Sequence, residues 1–285
     1  MPGEKTFLPH LDDLGATAGS VVAWKALRAA GTVTSASVMV PCPYYPMAVE
    51  DFHTDPEQDL GIHITLTSEW SRYRWRPLIG NRGGLCDADG FFHKRPQDVL
   101  AHADPQAVED EMEAQIERAL QDGIRLTHID AHMGTAFLNP FMEGLWRLAE
   151  RFKLALPFCR DSAALFKAVR AEDADLGLYR ELTAQAVSNG GVVFDTFQIG
   201  FTPEGVPAET FFSAMVEQAP SGLHWLALHA NAPDDTAHFA PHMVWPRTAE
   251  HALFSAPESR KIFDGCTLVN WHALELKRGA CACAC

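Results

Sequence analysis

Seven ionisable side chains in this 285-residue sequence have the types and spacing to do hydrolytic chemistry at a metal ion: Asp12, Asp13, His63, His128, Asp130, His132 and His229. Asp12 and Asp13 end the apolar run Thr6–Leu11. Neighbours on a strand point to opposite faces, but at a strand end the chain can turn so that both reach one cavity. One carboxylate would then ligate a cation while the other acts as a general base kept ionised by it, in either order. The plainer alternative is that one of them caps the helix that begins near Thr17. In Gly61–Thr67 the alternation puts His63, Thr65 and Thr67 on one face. A lone histidine there is more often a hydrogen-bonded core residue than a ligand. In Thr127–His132 a period of two puts His128, Asp130 and His132 on one face. Three ionisable groups on one side of a buried strand are hard to explain by packing, so this is the strongest functional signal. His229 is similar but alone, and a strand-end histidine satisfied by hydrogen bonds explains it equally well. One aspartate and two histidines from three strands, with open positions, suit a catalytic divalent ion, although spacing does not identify the metal.

These residues sit on alternating elements. Thr6–Leu11, Thr32–Val40, Leu60–Thr67, Arg125–Ala131, Leu154–Cys159, Val192–Phe197, Trp225–Ala230 and Cys266–Trp271 read as strands. Helical patterns lie at Thr17–Ala30, with Gly31 just past the end, after Asp104-Pro105, and from Asn139-Pro140 to about Phe152. Others lie near 173–188, 208–218 and 247–262. About eight strands in βα alternation predict an α/β fold with a parallel sheet, either a barrel or a doubly wound sheet. In both, catalytic groups gather at the C-terminal ends of the strands, where these residues fall. The stretch Ser68–Gln97 is long and irregular and carries Trp70, Tyr73 and Trp75. Those rings have the faces for stacking on a sugar, or simply anchor the loop. Arg160, after the fifth strand, is a weaker candidate for contact with substrate or a carboxylate.

Composition narrows the classes. Apolar residues make up 47% and charged residues 21%, an ordinary soluble balance. A net charge of −14 argues against a broad nucleic-acid or anionic-lipid surface. No run of ~18 apolar residues predicts a membrane span, and the first residues lack the apolar stretch of a signal peptide. Seven scattered cysteines do not form a disulfide framework, so the expectation is a reduced, cytoplasmic protein. No glycine-rich dinucleotide loop, P-loop or serine-hydrolase elbow is present. No interior linker divides the chain. Residues 1–276 read as one domain and 277–285 as a frayed Cys/Ala tail.

The ordered motifs resemble the YdjC-like family of carbohydrate deacetylases, which includes chitooligosaccharide deacetylases. Leu11-Asp12-Asp13-Leu14-Gly15 is similar to the family's first motif, and Gly31–Ser37 to its continuation. Gly61–Thr67, Thr127–His132, Asp195–Phe201 and Leu228-His229-Ala230 follow in the family's order, with a looser match at Arg247–Phe254. The resemblance spans residues 6–272.

The resemblance implies a distorted TIM-like (β/α) barrel of about seven strands. It implies one divalent ion, magnesium or zinc, held by Asp13, His63 and His132, and hydrolysis of an N-acetyl group on a small carbohydrate. Asp12 would be the general base, by analogy with other deacetylases that carry paired aspartates. His229 is then the candidate acid for the leaving amine, oriented by Asp195 or Asp130, and His128 an outer partner of a ligand. The chain departs from the family where Met133, Gly134, Thr135 and Ala136 follow His132 in place of further histidines, and where Ala230 replaces proline. Those changes keep open a metal-dependent amidohydrolase acting on a non-sugar amide, and a non-catalytic metal-dependent sugar-binding homologue. A homo-oligomer is also left open.

Overall fold

Parallel pairing of short, buried strands is what the sequence pattern asks for, and a computed structural model of the chain has it. The structure describes residues 4–168 and 176–274. In chain order the strands are β1 (Lys5–Leu14), β2 (Ser35–Val38), β3 (Leu60–Ile64), β4 (Leu126–Ala131), β5 (Phe158–Cys159), β6 (Val193–Phe194), β7 (Thr196–Ile199), β8 (Gly222–Leu228) and β9 (Cys266–Leu268). Seven of them form one sheet in the order β4-β3-β2-β1-β8-β7, with β9 also paired to β1, and every pair is parallel. β5 and β6 form a second, two-stranded parallel sheet.

The α/β class expected from the alternation is therefore the observed one. A continuous ladder around a closed ring is not observed among the described residues. Between β4 and β5 the link is a single parallel bridge, His128 with Ala155, made by the bonds Ile129 N–H to Ala155 O at 2.9 Å and Ala155 N–H to Thr127 O at 3.1 Å. The sixth expected strand is interrupted at Asp195, whose amide turns to Leu223 O, so that β6 pairs with β5 while β7 pairs with β8.

Local chemistry sets the helix ends. The helix Ala18–Ala30 is capped by Thr17, whose hydroxyl accepts from Ser20 N–H, and is closed by Gly31 in the left-handed region. Asp104 caps Pro105–Gln121 by accepting from Gln106 and Ala107 N–H. A helix at Tyr45–Thr54 was not legible in the sequence pattern; three prolines, Pro41 and Pro43 before it and Pro46 in its first turn, mask it. The helix expected near 173–188 is described from Gly177 to Ser188, and the Cys/Ala tail lies outside the described residues.

The larger of two buried apolar clusters among the described residues runs from Phe7 to Phe263 and includes Trp24, Phe52, Phe92, Phe141 and Phe212, and the smaller gathers Leu8, Phe194, Trp225 and Trp271. The long stretch 65–95 has almost no regular structure, yet it is packed. Arg74 bonds Asp87 at 2.6 Å, Glu111 accepts the Leu78 and Ile79 amides, and Phe92 and Leu85 are fully buried.

Candidate metal and acid–base site

The site begins with a backbone irregularity. The β1–β2 ladder slips between Leu11 and Leu14, and Asp13 has φ 61°. Aspartate tolerates this left-handed conformation better than most residues, but it still costs roughly 1–3 kcal/mol. The turn lets two consecutive carboxylates reach adjoining clusters, Asp12 toward His10 and His229 and Asp13 toward His132 and Arg247. Neither caps the following helix through its side chain, because Thr17 does that.

Asp13 is buried, and three side chains converge on it. Arg247 donates from Nη2 to Oδ2 at 2.6 Å. His132 Nδ1 is 3.0 Å from Oδ1, and His63 Nε2 is 3.4 Å from the same oxygen. Burial alone would raise the Asp13 carboxyl, but the Arg247 guanidinium and His132 outweigh it and hold it well below the usual range.

The sheet register explains His63. In β3–β4 it pairs His63 with Asp130, so both point to the same face. Asp130 Oδ1 lies 2.9 Å from His63 Nδ1, and Ser37 donates to Asp130 Oδ2 at 2.9 Å. A carboxylate on one ring nitrogen orients the other, here Nε2, toward Asp13. Burial opposes charge on His63, yet Asp130 and Asp13 raise its pKa well above the ordinary value. Asp130 is itself drawn down to about 2 against burial, chiefly by His63.

His132 opens a tight turn in which Met133 and Gly134 take positive φ, and this reversal follows directly from β4. Its second nitrogen, Nε2, is 3.1 Å from Glu69 Oε2 in the long loop. Glu69 and Asp13 lift His132 to about 9 in spite of burial.

Asp13, His63 and His132 thus bring one donor atom each within 4.8 Å of the others. Two donors about 2.1 Å from one ion, at angles between octahedral and tetrahedral, stand about 3.0–3.4 Å apart. The two separations from Asp13 Oδ1, 3.0 and 3.4 Å, match that range, so this donor set fits a divalent ion.

Asp12 belongs to the neighbouring half of the site. Its Oδ1 is 2.7 Å from His10 Nδ1, and its Oδ2 faces His229 Nε2 at 3.7 Å. The His229 amide donates to Glu250 Oε2 at 2.6 Å, while His229 Nδ1 and Glu250 Oε1 are buried without a partner. Burial lowers the His229 pKa and raises Glu250 to about 8.

Several expected residues lie elsewhere. Asp130 orients His63, not His229. Asp195 accepts the Leu223 amide at 2.9 Å and pairs with exposed Arg160 at 3.3 Å, and no site side chain is among these partners. His128 touches none of the three donors; its Nε2 meets His10 Nε2 at 2.8 Å. Trp70 and Trp75 are buried: Trp70 packs on Phe239 and beneath the Arg247 guanidinium, and Trp75 donates to Thr67 O. They build the wall of the site and offer no open stacking face. The exposed ring near His229 is Phe201, 4.6 Å between centroids.

The sequence reading assigns no role to His10, Ser37, Glu69, Arg247 or Glu250, although Ser37, Arg247 and Glu250 lie inside matched motifs. His10 had a usable signal, since it shares the period-two face of Asp12. Arg247 and Glu250 lie in the loosely matched segment that ends at Phe254. Glu69 had none, because an irregular loop has no period.

Among known proteins, a family model described as YdjC-like protein matches residues 10–265. A carbohydrate deacetylase of Thermus thermophilus is 30% identical over 278 residues, covering 95% of this chain and 94% of its own. Carbohydrate deacetylase 1 of Listeria innocua is 27% identical over 254 residues, covering 87% and 91%. A crystal structure of an Enterococcus faecalis V583 protein, provisionally assigned to cellobiose-phosphate cleavage, superposes with a TM-score of 0.77 at 20% identity, covering 95% of this chain and 99% of its own. At that identity the likeness concerns the fold alone.

Proposed function

The chain belongs to the YdjC-like family, and from that premise we propose that it is a divalent-metal-dependent hydrolase removing the N-acetyl group of an amino sugar or related small carbohydrate. The observation that carries the reading is the meeting of Asp13, His63 and His132 beside a second carboxylate and a histidine, Asp12 and His229. The names of the full-length relatives support the carbohydrate substrate.

Asp13, His63 and His132 would hold the ion, magnesium or zinc. When bound it supplies Lewis acidity, lowering the pKa of water and polarising the acyl carbonyl. Asp12 takes the proton of the attacking water on Oδ2, the oxygen that its partner His10 leaves free. His229 is held neutral by burial, so the proton it delivers to the leaving amine is the one Asp12 has just accepted across the 3.7 Å gap. Arg247 binds the outer oxygen of Asp13 and keeps that carboxylate ionised. Phe201, 41% exposed beside His229, is the ring we assign to stacking against the sugar.

No helix among the described residues is long and apolar enough to cross a membrane. The four described cysteines, Cys42, Cys86, Cys159 and Cys266, are free thiols, which supports a reducing cytoplasmic setting as part of this reading. The test is acetate release from a panel of N-acetylated sugars and small amides, with and without chelator. Chelator-sensitive release from sugars is the expected result. Release from small amides alone would overturn the carbohydrate assignment.

A further inference from the structure

Behind Asp12 lies a buried chain of hydrogen bonds that the reaction described above does not use. Asp12 Oδ1 meets His10 Nδ1 at 2.7 Å, and His10 Nε2 meets His128 Nε2 at 2.8 Å. His128 Nδ1 meets Thr127 Oγ1 at 2.9 Å, and Thr127 Oγ1 meets Asp59 Oδ1 at 2.5 Å. His10 and His128 are fully buried, and Asp59 nearly so. The space is built for these rings. Trp271 stacks on His128 at 5.2 Å and Trp225 lies 4.1 Å from His10. A Cβ at Gly61 would sit in the His128 ring, and this explains the glycine in Gly61-Ile62-His63.

We propose that His10 is a positioning residue for Asp12, set as the Nδ1–H tautomer by the Asp12 carboxylate it faces and by His128 behind it. The inference rests on Asp12 being the base. Each contact uses one hydrogen, so the assignment propagates along the chain. His10 donates its Nδ1–H to the Asp12 carboxylate, which leaves Nε2 bare to accept the Nε2–H of His128. His128 Nδ1 is then bare and accepts the Thr127 hydroxyl hydrogen. The same hydroxyl donates to Asp59 Oδ1, so its one hydrogen is shared between two acceptors, His128 Nδ1 and Asp59 Oδ1. Burial holds His128 neutral, in keeping with that order. Asp130 Oδ2 is 3.9 Å from His10 Nε2, too far to compete. The result is that Oδ1 of Asp12 is tied and Oδ2 alone is turned to His229, much as a carboxylate orients a histidine in a hydrolytic triad.

Two measurements on the full chain test this. Ring ¹⁵N spectra, assigned by the signals lost in His10→Asn and His128→Phe, should show His10 protonated at Nδ1 and His128 at Nε2, with a coupling across the N–H···N bond. His10→Leu should lower kcat by about 10–100-fold with KM and bound metal unchanged. His10→Asn places an amide N–H near the Nδ1 position and should recover kcat to within about fivefold of the native chain. A packing role predicts the opposite order, since leucine keeps the core apolar. A bare His10 Nδ1, or an asparagine variant as slow as the leucine variant, overturns the proposal. If the native chain cleaves no acetyl substrate, the functional reading fails separately, and the ring-nitrogen spectrum still decides the tautomer of His10.

Discussion

Asp12 and Asp13 are consecutive residues, yet they belong to two differently built half-sites. Asp13 turns through the left-handed region into a cage of Arg247, His132 and His63, all buried. Asp12 keeps the strand direction, remains partly open at 16% exposure, and meets His10 and His229. One half concentrates fixed charge, with two raised histidines around depressed carboxylates, which is the pattern that competes for a cation. The other is held by near-neutral groups, His128, His229 and Glu250, whose burial disfavours charge. On the proposed reading, the turn at Asp13 separates a ligand environment from a proton-transfer environment. Identical side chains acquire different work from their surroundings.

The sharpest break in that comparison comes from removing a member of each half. His132→Ala should abolish metal retention and turnover together, read by elemental analysis after gel filtration. Metal retained at one ion per chain would mean that the donor set is wrong. Asp12→Asn should retain the metal and the fold while kcat falls by about 10²–10⁴-fold. Loss of both properties in both variants would erase the division between the halves.

The outer partners come next. Asp130→Asn leaves His63 without the carboxylate that orients it and should weaken metal affinity by about 10–100-fold. The affinity of the native site should also rise with pH. His132 stands near 9 and His63 well above its ordinary value, so both carry protons at neutral pH that binding must displace. Titration calorimetry in buffers of different ionisation enthalpy would count the protons released; zero release at pH 7 would contradict this charge pattern.

How much of this could be read from the chain follows from periodicity. His128, Asp130 and His132 announced themselves because a strand sorts alternate residues to one face, and all three do face inward. The same rule assigned too little to His10. It could not say that His128 would point to His10, since partner identity depends on the register between strands distant in sequence. The interruption at Asp195 was equally hidden: Val192–Phe197 reads as one strand, and only the competing neighbours β5 and β8 divide it. The aromatic loop left two readings open, sugar stacking and loop anchoring, and the burial of Trp70 and Trp75 favours anchoring. Trp70 and Trp75 have the surfaces a sugar would use, but the same surfaces fill the gap beside Arg247 and His132. Fold class survives such errors because it depends on many strands at once, whereas a site depends on single contacts.

The smallest expected effect tests the neutral half directly. Glu250 is fully buried, accepts the His229 amide through Oε2, and has a second oxygen without a partner. Its carboxyl is held near 8, against an ordinary 4.5, first by burial and further by the charges of Asp12 and Asp13, with Arg247 and the His229 amide opposing. Between those two values the folded chain binds more protons at this position than the unfolded chain. Stability must therefore fall as pH rises through the window, and the protonated form is the one the fold prefers. Glu250→Gln is neutral at every pH and keeps an oxygen for the His229 amide. The melting temperature of the variant, relative to native, should climb steadily from pH 5 to pH 8.5. A gap that stays constant over that range would mean that Glu250 is already ionised in the fold, and that the half-site around Asp12 carries more charge than its burial permits.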